Sequence, residues 1–388
     1  VKGLILILLV PLVLCANTVG EDSNAFSLAL YSKLPKEGNL AFSPYGVFSH
    51  LALLYYGSQG QTAQQIKSAL HLSATGDRFL KSFSKHLTGL TRKSEKGYHF
   101  YLSNALFPHQ GTHFLTRYKE IATQYFDAHL QGVDYTIKDS TLETINTWSE
   151  KHTDDNIREI VTPKDFDDST RMITANATYF QGAWVHPFRL EKGTFQSKPV
   201  TMLHKVHAFP YYENNELEAL SLSIVRDGLN QPFLEFLIVL PKTTSQEITL
   251  TAKELDNILY NLKPTGISAH IPKFCFSQTL TLNDSLEKLG IKDAFTYQAN
   301  FSKIDKMHDL LLNKVVHESY LSFHENGITA SSACLNNLEF TAPPPIASNG
   351  KEFVADHPFL FFLVDFHSRA ILFMGRVDDP ASEHCDEN

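Results

Sequence analysis

The sequence predicts a single α+β domain, and two observations carry that expectation. Helix-type apolar periodicity dominates the first half of the chain and strand-type runs dominate the second. No repeat, low-complexity tract or linker divides the 388 residues, and 43% of them are apolar, enough for a large core. The net charge of −8 argues against nucleic acid as a partner.

Residues 1–16 read as a secretory signal. Lys2 precedes an apolar run from Leu4 to Leu14, and Cys15-Ala16-Asn17 follows, with cleavage expected near 16–20. The run is too short to cross a bilayer, so no stable membrane association is expected. The expected location is secreted and extracellular, or periplasmic if the source is a bacterium.

Residues 23–34 have the spacing of a helix, with Phe26, Leu30 and Leu34 on one face and Pro35 and Gly38 as the stop. Ser43 is a good N-cap and Pro44 suits the first turn of a second helix. That helix is apolar nearly all round through Tyr56, which predicts burial, and Gly57 ends it. Thr62 and Gln65 predict a capping box for a third helix. The basic residues from Arg78 to Lys96 are accompanied by Asp77 and Glu95, which favours a solvated helix face over a polyanion site. Leu142, Ile145 and Trp148 stripe a helix over 139–151. Buried strands are expected over 172–188 and 233–242, with a strand over 270–280 that Pro272 assigns to an edge. Residues 283–290 read as a short helix stopped by Gly290.

With Cys15 in the cleaved segment, Cys275, Cys334 and Cys385 remain, and an odd number leaves at least one free thiol. No C-x-x-C, H-E-x-x-H, G-x-S-x-G, Walker loop or G-x-G-x-x-G occurs. The sequence therefore predicts no enzyme, no catalytic residues, no metal and no cofactor.

The most unusual stretch runs from Glu325 to Pro358. A strand-like run precedes it, Leu311 to Phe323, and a strand-like pair follows, Phe359 to Phe366 and Ala370 to Val377. Connections this long are uncommon in compact domains. From Gly327 to Gly350 the only charged residue is Glu339. Alternate residues read Ile328, Ala330, Ser332, Cys334, Asn336, Leu338 and Phe340, an apolar or small face that suits a half-buried strand. The plain alternative is a long surface loop.

Several motifs in fixed order resemble the serpin family over roughly residues 23–380. They are Ser43-Pro44; Asn146-x-Trp148-x4-Thr153; Asn176-Ala177-Thr178-Tyr179-Phe180-Gln181-Gly182-x-Trp184-x3-Phe188; Pro272-Lys273-Phe274; Leu289-Gly290 with Asp293-Ala294-Phe295; Glu325-x-Gly327; and Ala355-Asp356-His357-Pro358-Phe359-Leu360-Phe361 running on to Ile371-Leu372-Phe373-x-Gly375-Arg376.

The resemblance implies three β-sheets ringed by helices and an exposed reactive-centre loop. It implies one domain over 21–380, with the loop at 325–358 and a short polar tail at 381–388. It also implies a monomeric inhibitor whose partner is a serine protease. The protease cleaves the loop and is trapped as an acyl-enzyme when the loop inserts into the central sheet. The hinge would be Glu325, Gly327, Ile328, Ala330, Ser331, Ser332 and Ala333, and the shutter where the central strands part would be Ser43, Asn176 and His317. Family register places the cleaved bond at Thr341-Ala342. The long return to Pro358 leaves Phe340-Thr341, Ile346-Ala347 and Ala347-Ser348 open as well.

No Lys or Arg lies between Gly327 and Gly350, so the expected target is elastase-like or chymotrypsin-like. Four positions depart from the inhibitory pattern. Ile328 stands where Thr or Ser is usual, Asn326 and Thr329 stand where Glu is common, and Gly46 replaces a serine of the shutter. Weakened inhibition is the expectation, and a non-inhibitory carrier, chaperone or storage serpin is the alternative.

Overall fold

A computed structural model describes residues 18–92, 97–153, 158–228, 233–244, 249–328 and 350–381. The expected signal segment and most of the loop, 329–349, lie outside the described residues.

In chain order the elements begin with α1 (Val19–Tyr31), β1 (Leu40–Phe42), α2 (Pro44–Gly57), α3 (Gly60–Ala69) and α4 (Gly76–Thr91). Next come β2 (His99–Pro108), α5 (Thr116–Phe126), β3 (Ala128–Leu130), α6 (Lys138–His152) and β4 (Met172–Ala183). A run of strands follows: β5 (Arg189–Phe195), β6 (Lys198–Glu213), β7 (Leu217–Ser223) and β8 (Leu234–Pro241). The chain continues through α7 (Ala252–Asn261), β9 (Lys263–Pro272), β10 (Phe274–Thr281) and α8 (Asn283–Lys288). It closes with β11 (Lys314–His324), β12 (Gly327–Ile328), β13 (Lys351–Val354), β14 (Phe359–Asp365) and β15 (Ile371–Val377).

Two helix starts differ from the sequence reading. α1 begins earlier than its apolar period suggests, because Thr18 and Glu21 cap it reciprocally: Thr18 Oγ1 accepts from the Glu21 amide and Glu21 Oε2 from the Thr18 amide. The capping box expected at Thr62 and Gln65 does not form. α3 already starts at Gly60, and both side chains bond to a distant turn instead. Thr62 Oγ1 accepts from the Asn300 amide at 3.0 Å, and Gln65 Oε1 from the Lys292 and Asp293 amides at 2.8 and 2.9 Å. The strand expected over 270–280 is also corrected. Pro272 ends β9 and Phe274 opens β10, and the two strands belong to different sheets.

The six-stranded sheet has the order β10-β11-β12-β4-β2-β3. The nine-stranded network has the order β1-β15-β14-β8-β7-β6-β9-β13, with β5 paired to β6. The two smaller sheets of the expected three share the 16-residue strand β6. Lys198–His204 pair with β5, Met202–Tyr211 with β9, and Tyr211–Glu213 with β7.

β4 is buried on both faces, which explains its unbroken apolar and small-residue run. One face meets α2, a helix buried nearly all round as its composition predicts. The other lies beneath α6, where Phe107, Ile145, Trp148, Ile173 and Val316 form a second core. Cys275 on β10 is disulfide-bonded, and its partner lies outside the described residues.

Candidate functional site

The site is a seam in the six-stranded sheet. β11 and β4 run parallel and pair directly from Lys314↔Ile173 to Tyr320↔Tyr179. Above that point they part, and the two residues of β12 lie between them. β12 is antiparallel to both neighbours, with Ile328 opposite Phe323 on β11 and Gly182 on β4. The chain therefore enters the seam from its upper end, pointing down between the two central strands.

Bonds from β4 and the segment after it fix that entrance. The Trp184 amide donates to the Asn326 carbonyl, the Trp184 indole to the His324 carbonyl, and the Phe188 amide to the Glu325 carbonyl. Gly327 is required here for close approach. A Cβ at that position would lie 2.1 Å from the Gly182 carbonyl oxygen. Ile328 is fully buried in the main core, so its branched apolar side chain anchors β12 where a Thr or Ser was expected. Ala330, Ser331, Ser332, Ala333 and every candidate scissile bond, Phe340-Thr341, Thr341-Ala342, Ile346-Ala347 and Ala347-Ser348, lie outside the described residues.

Lower in the seam, the three predicted shutter residues meet. His317 and Asn176 are register partners across β11 and β4. His317 Nδ1 lies 2.8 Å from Asn176 Oδ1, and its Nε2 accepts from the Ser43 amide at 2.9 Å. Nε2 is thus an acceptor, which leaves the proton on Nδ1 to donate across the seam. Burial, with a smaller contribution from His50, pushes the His317 imidazole down to about 3, so it is neutral near pH 7. Ser43 Oγ donates to the Leu372 carbonyl and accepts from the Gly46 amide, which caps α2 beside the seam.

Three further members were not singled out in the sequence. Asn176 Nδ2 donates to Asn104 Oδ1 at 2.9 Å and to the Ser103 carbonyl at 3.1 Å. Asn104 is fully buried, and its Oδ1 also meets His50 Nδ1 at 3.2 Å. Thr178 Oγ1 donates to Asn176 Oδ1 at 3.2 Å. A polar residue inside an otherwise apolar strand or helix was the available signal at Asn104 and His50.

Thr178 also explains Gly46. A Cβ on Gly46 would lie 2.3 Å from Thr178 Oγ1 and 2.5 Å from Asn176 Oδ1, so the space a serine would need is already filled. Gly46→Ala is expected to cost about 1–3 kcal/mol through overpacking, read as a lower urea midpoint. Adding Thr178→Ala removes the nearest atom and restores part of the loss. An unchanged midpoint for Gly46→Ala counts against this packing.

Against the outer face of the seam, α6 covers Glu318. Ser149 Oγ on α6 donates to Glu318 Oε2 at 2.5 Å, and Oε1 is buried with no hydrogen-bond partner among the described residues. Burial pushes this carboxyl up to about 8, and the Ser149 bond offsets only part of the shift.

A family model described as serpin (serine protease inhibitor) matches residues 21–380. The chain belongs to the serpin family. An uncharacterized serpin-like protein of Thermococcus kodakarensis is 34% identical over 371 residues, covering 92% of this serpin and 84% of the relative. The leukocyte elastase inhibitor of Sus scrofa is 30% identical over 379 residues, covering 92% and 97%. Among solved structures, uncleaved ovalbumin superposes with a TM-score of 0.82 at 23% identity, covering 94% of this chain and all of that one (100%). Serpin48 of the insect Tenebrio molitor superposes at 0.78 with 26% identity, covering 92% and 97%. The α+β serpin fold is therefore the fold of this chain.

Proposed function

We propose that this serpin is a secreted, monomeric suicide inhibitor of serine proteases, acting as a trapped substrate rather than as a catalyst. One observation carries the reading: β12 already occupies the upper end of a parallel seam, with the loop leading on from it.

Continuing the register of β12 down the seam gives specific neighbours. Ala330 would lie between Leu321 and Phe180, Ser332 between Ser319 and Thr178, and Cys334 between His317 and Asn176. Continued on the face of Ile328, these residues would point to the core, and they are small enough to pass between two strands. Insertion replaces one parallel contact by two antiparallel ones, and antiparallel pairing is slightly more stable per residue. It must also break the bond from His317 to Asn176, because each added strand separates its neighbours by about 4.8 Å more. Cleavage frees the lower end of the loop and so permits the insertion that the intact loop resists. The similarity to the leukocyte elastase inhibitor of Sus scrofa supports an elastase-like target.

Incubation with elastase, chymotrypsin and trypsin is the test. An SDS-stable complex is expected with elastase or chymotrypsin and not with trypsin, since no cation is available for a trypsin pocket between Gly327 and Gly350. The released fragment should begin at Ala342, or at Thr341, Ala347 or Ser348. A complex with trypsin alone refutes the target class. Clean cleavage by every protease with no complex supports the non-inhibitory reading, which Gly46 and Ile328 favour.

A further inference from the structure

The fold collects a group of side chains on the β5-β6-β9 sheet that no sequence spacing announces. His204 on β6 and His270 on β9 are directly opposed across the antiparallel ladder, and their rings stack 4.5 Å apart at 15°. Glu191 on β5 reaches both. Its Oε1 lies 2.5 Å from His270 Nδ1 and its Oε2 lies 3.5 Å from His204 Nδ1. One ligand atom from each of the three residues lies within 4.8 Å of the others. All three side chains are half-buried, so the group is walled but open on one side.

A fourth residue gives the arrangement its meaning. Ser268 Oγ lies 3.2 Å from His204 Nε2 and 3.1 Å from His270 Nε2. A hydroxyl accepts two hydrogen bonds, so it can hold both Nε2–H groups at once. Both Nδ1 lone pairs then face an acceptor-only carboxylate. In that tautomer three electron-pair donors converge on one point, an arrangement suited to a cation. A proton between Glu191 and His270 satisfies two of the donors, whereas a metal ion satisfies all three.

We propose that Glu191, His204 and His270 form a binding site for one divalent transition-metal ion of the zinc class, with Ser268 as its outer-shell support and a remaining position open to solvent. Bond lengths of about 2.0–2.2 Å place tetrahedral ligand atoms about 3.3 Å apart, close to the 3.5 Å between Glu191 and His204, while the 2.5 Å hydrogen-bond contact of Glu191 with His270 would open by about 0.8 Å to admit the ion. Two imidazoles and one carboxylate suit zinc, and rank copper and nickel above manganese. Ser268 supplies the bond to the far ring nitrogen that metal-ligating histidines regularly make. Arg189 on β5, the register partner of His204, is exposed, and Lys192 and Lys205 adjoin Glu191 and His204 in sequence. The sequence predicted no metal because the ligands come from three strands and no two are closer than 13 positions, outside any ligand-spacing motif.

The site also touches the loop's return path. His270 is the register partner of Val354 on β13, and its carbonyl accepts from the Ala355 amide. An ion here would tie β5, β6 and β9 together next to the strand on which the loop ends.

Equilibrium dialysis of the full chain against Zn2+ is the test, with the bound metal counted. Retention of about one Zn2+ per chain at micromolar free metal is expected. His204→Gln with His270→Gln should abolish that retention. Ser268→Ala should weaken it by about 10–100-fold, as outer-shell changes do. His186→Gln with His207→Gln, which alters another histidine pair, His207 on β6 and His186 in the connection before β5, should leave it intact. The proposal is overturned if the His204/His270 variant retains as much Zn2+ as the wild type. It is equally overturned if the wild type retains none, or if the His186/His207 change is the one that removes it. Ser268→Ala keeps the test decisive should the double variant fail to fold, because unchanged affinity there also counts against the site.

Discussion

Cleavage of the loop by elastase or chymotrypsin is expected to raise the melting temperature of the whole protein by about 10 °C or more. For a chain of this size each kcal/mol moves the midpoint by about 2 °C or less, so the shift corresponds to about 5 kcal/mol or more. The reason lies in the geometry of the seam. β11 and β4 pair through one parallel ladder below β12, while a single antiparallel partner is already seated above it. A strand added along the register of β12 would meet acceptors and donors on both sides, and its small core-facing residues would bring little steric cost.

Ser332→Arg isolates this effect. Its register neighbours on insertion, Ser319 and Thr178, are fully buried, so insertion would bury an unpaired cation at a cost of several kcal/mol. The cleaved variant should gain no thermal stability, and its yield of SDS-stable complex should fall at least about tenfold, which is about 1.4 kcal/mol of preference. Calorimetry of intact and cleaved protein reads both outcomes. A wild-type chain that melts at the same temperature before and after cleavage removes the basis for inhibition.

The sequence disclosed the frame better than the contacts. α2, β4, β8, β11, β14 and β15 stand where apolar runs and caps placed them, because a long buried segment leaves the same signal whatever it packs against. Ser43, Asn176 and His317 are linked by hydrogen bonds across the seam. What stayed hidden depends on pairs far apart in the chain. Gln65 reads like half of a capping box, but it bonds to the turn at Asp293, 228 positions away. Pro272 reads like the start of an edge strand, yet it ends one strand just before another begins in a different sheet. Gly46 looks like a defect in the shutter until Thr178, from another element, is seen filling the space. β13 was missed because four residues embedded in a long connection carry too short a period to register.

Stability is expected to peak near pH 6.5, and two kinds of buried group set the two limbs. His317 and His50 are held down to about 3 and about 4, each chiefly by burial. Between those values and the ordinary histidine value of 6.5, the unfolded chain binds protons that the folded chain refuses. Each of these imidazoles therefore adds stability that is complete above pH 6.5 and is lost as the pH falls toward 3 or 4. Glu318 acts in the opposite direction. Its carboxyl stays protonated in the folded chain up to about pH 8 but ionises near 4.5 in the unfolded one. The Glu318 contribution alone therefore declines from about pH 4.5 upward, by at most about 1.4 kcal/mol per pH unit, until the carboxyl ionises beneath α6; it outweighs the two imidazoles only above about pH 6.5.

The Glu318→Gln variant keeps the shape and the bond to Ser149 while removing the titration. It should be more stable than wild type by about 2–3 kcal/mol at pH 7, with the two converging near pH 4.5. Urea unfolding from pH 4 to 9 measures the difference. Parallel curves across that range would show that Glu318 is not held neutral in the fold. Because α6 lies over the seam at this residue, the same variant should also keep α6 docked at pH 8–9, where wild type loosens it. Amide exchange of residues 138–152 reports that docking directly, and equal exchange in the two proteins would separate Glu318 from the seam.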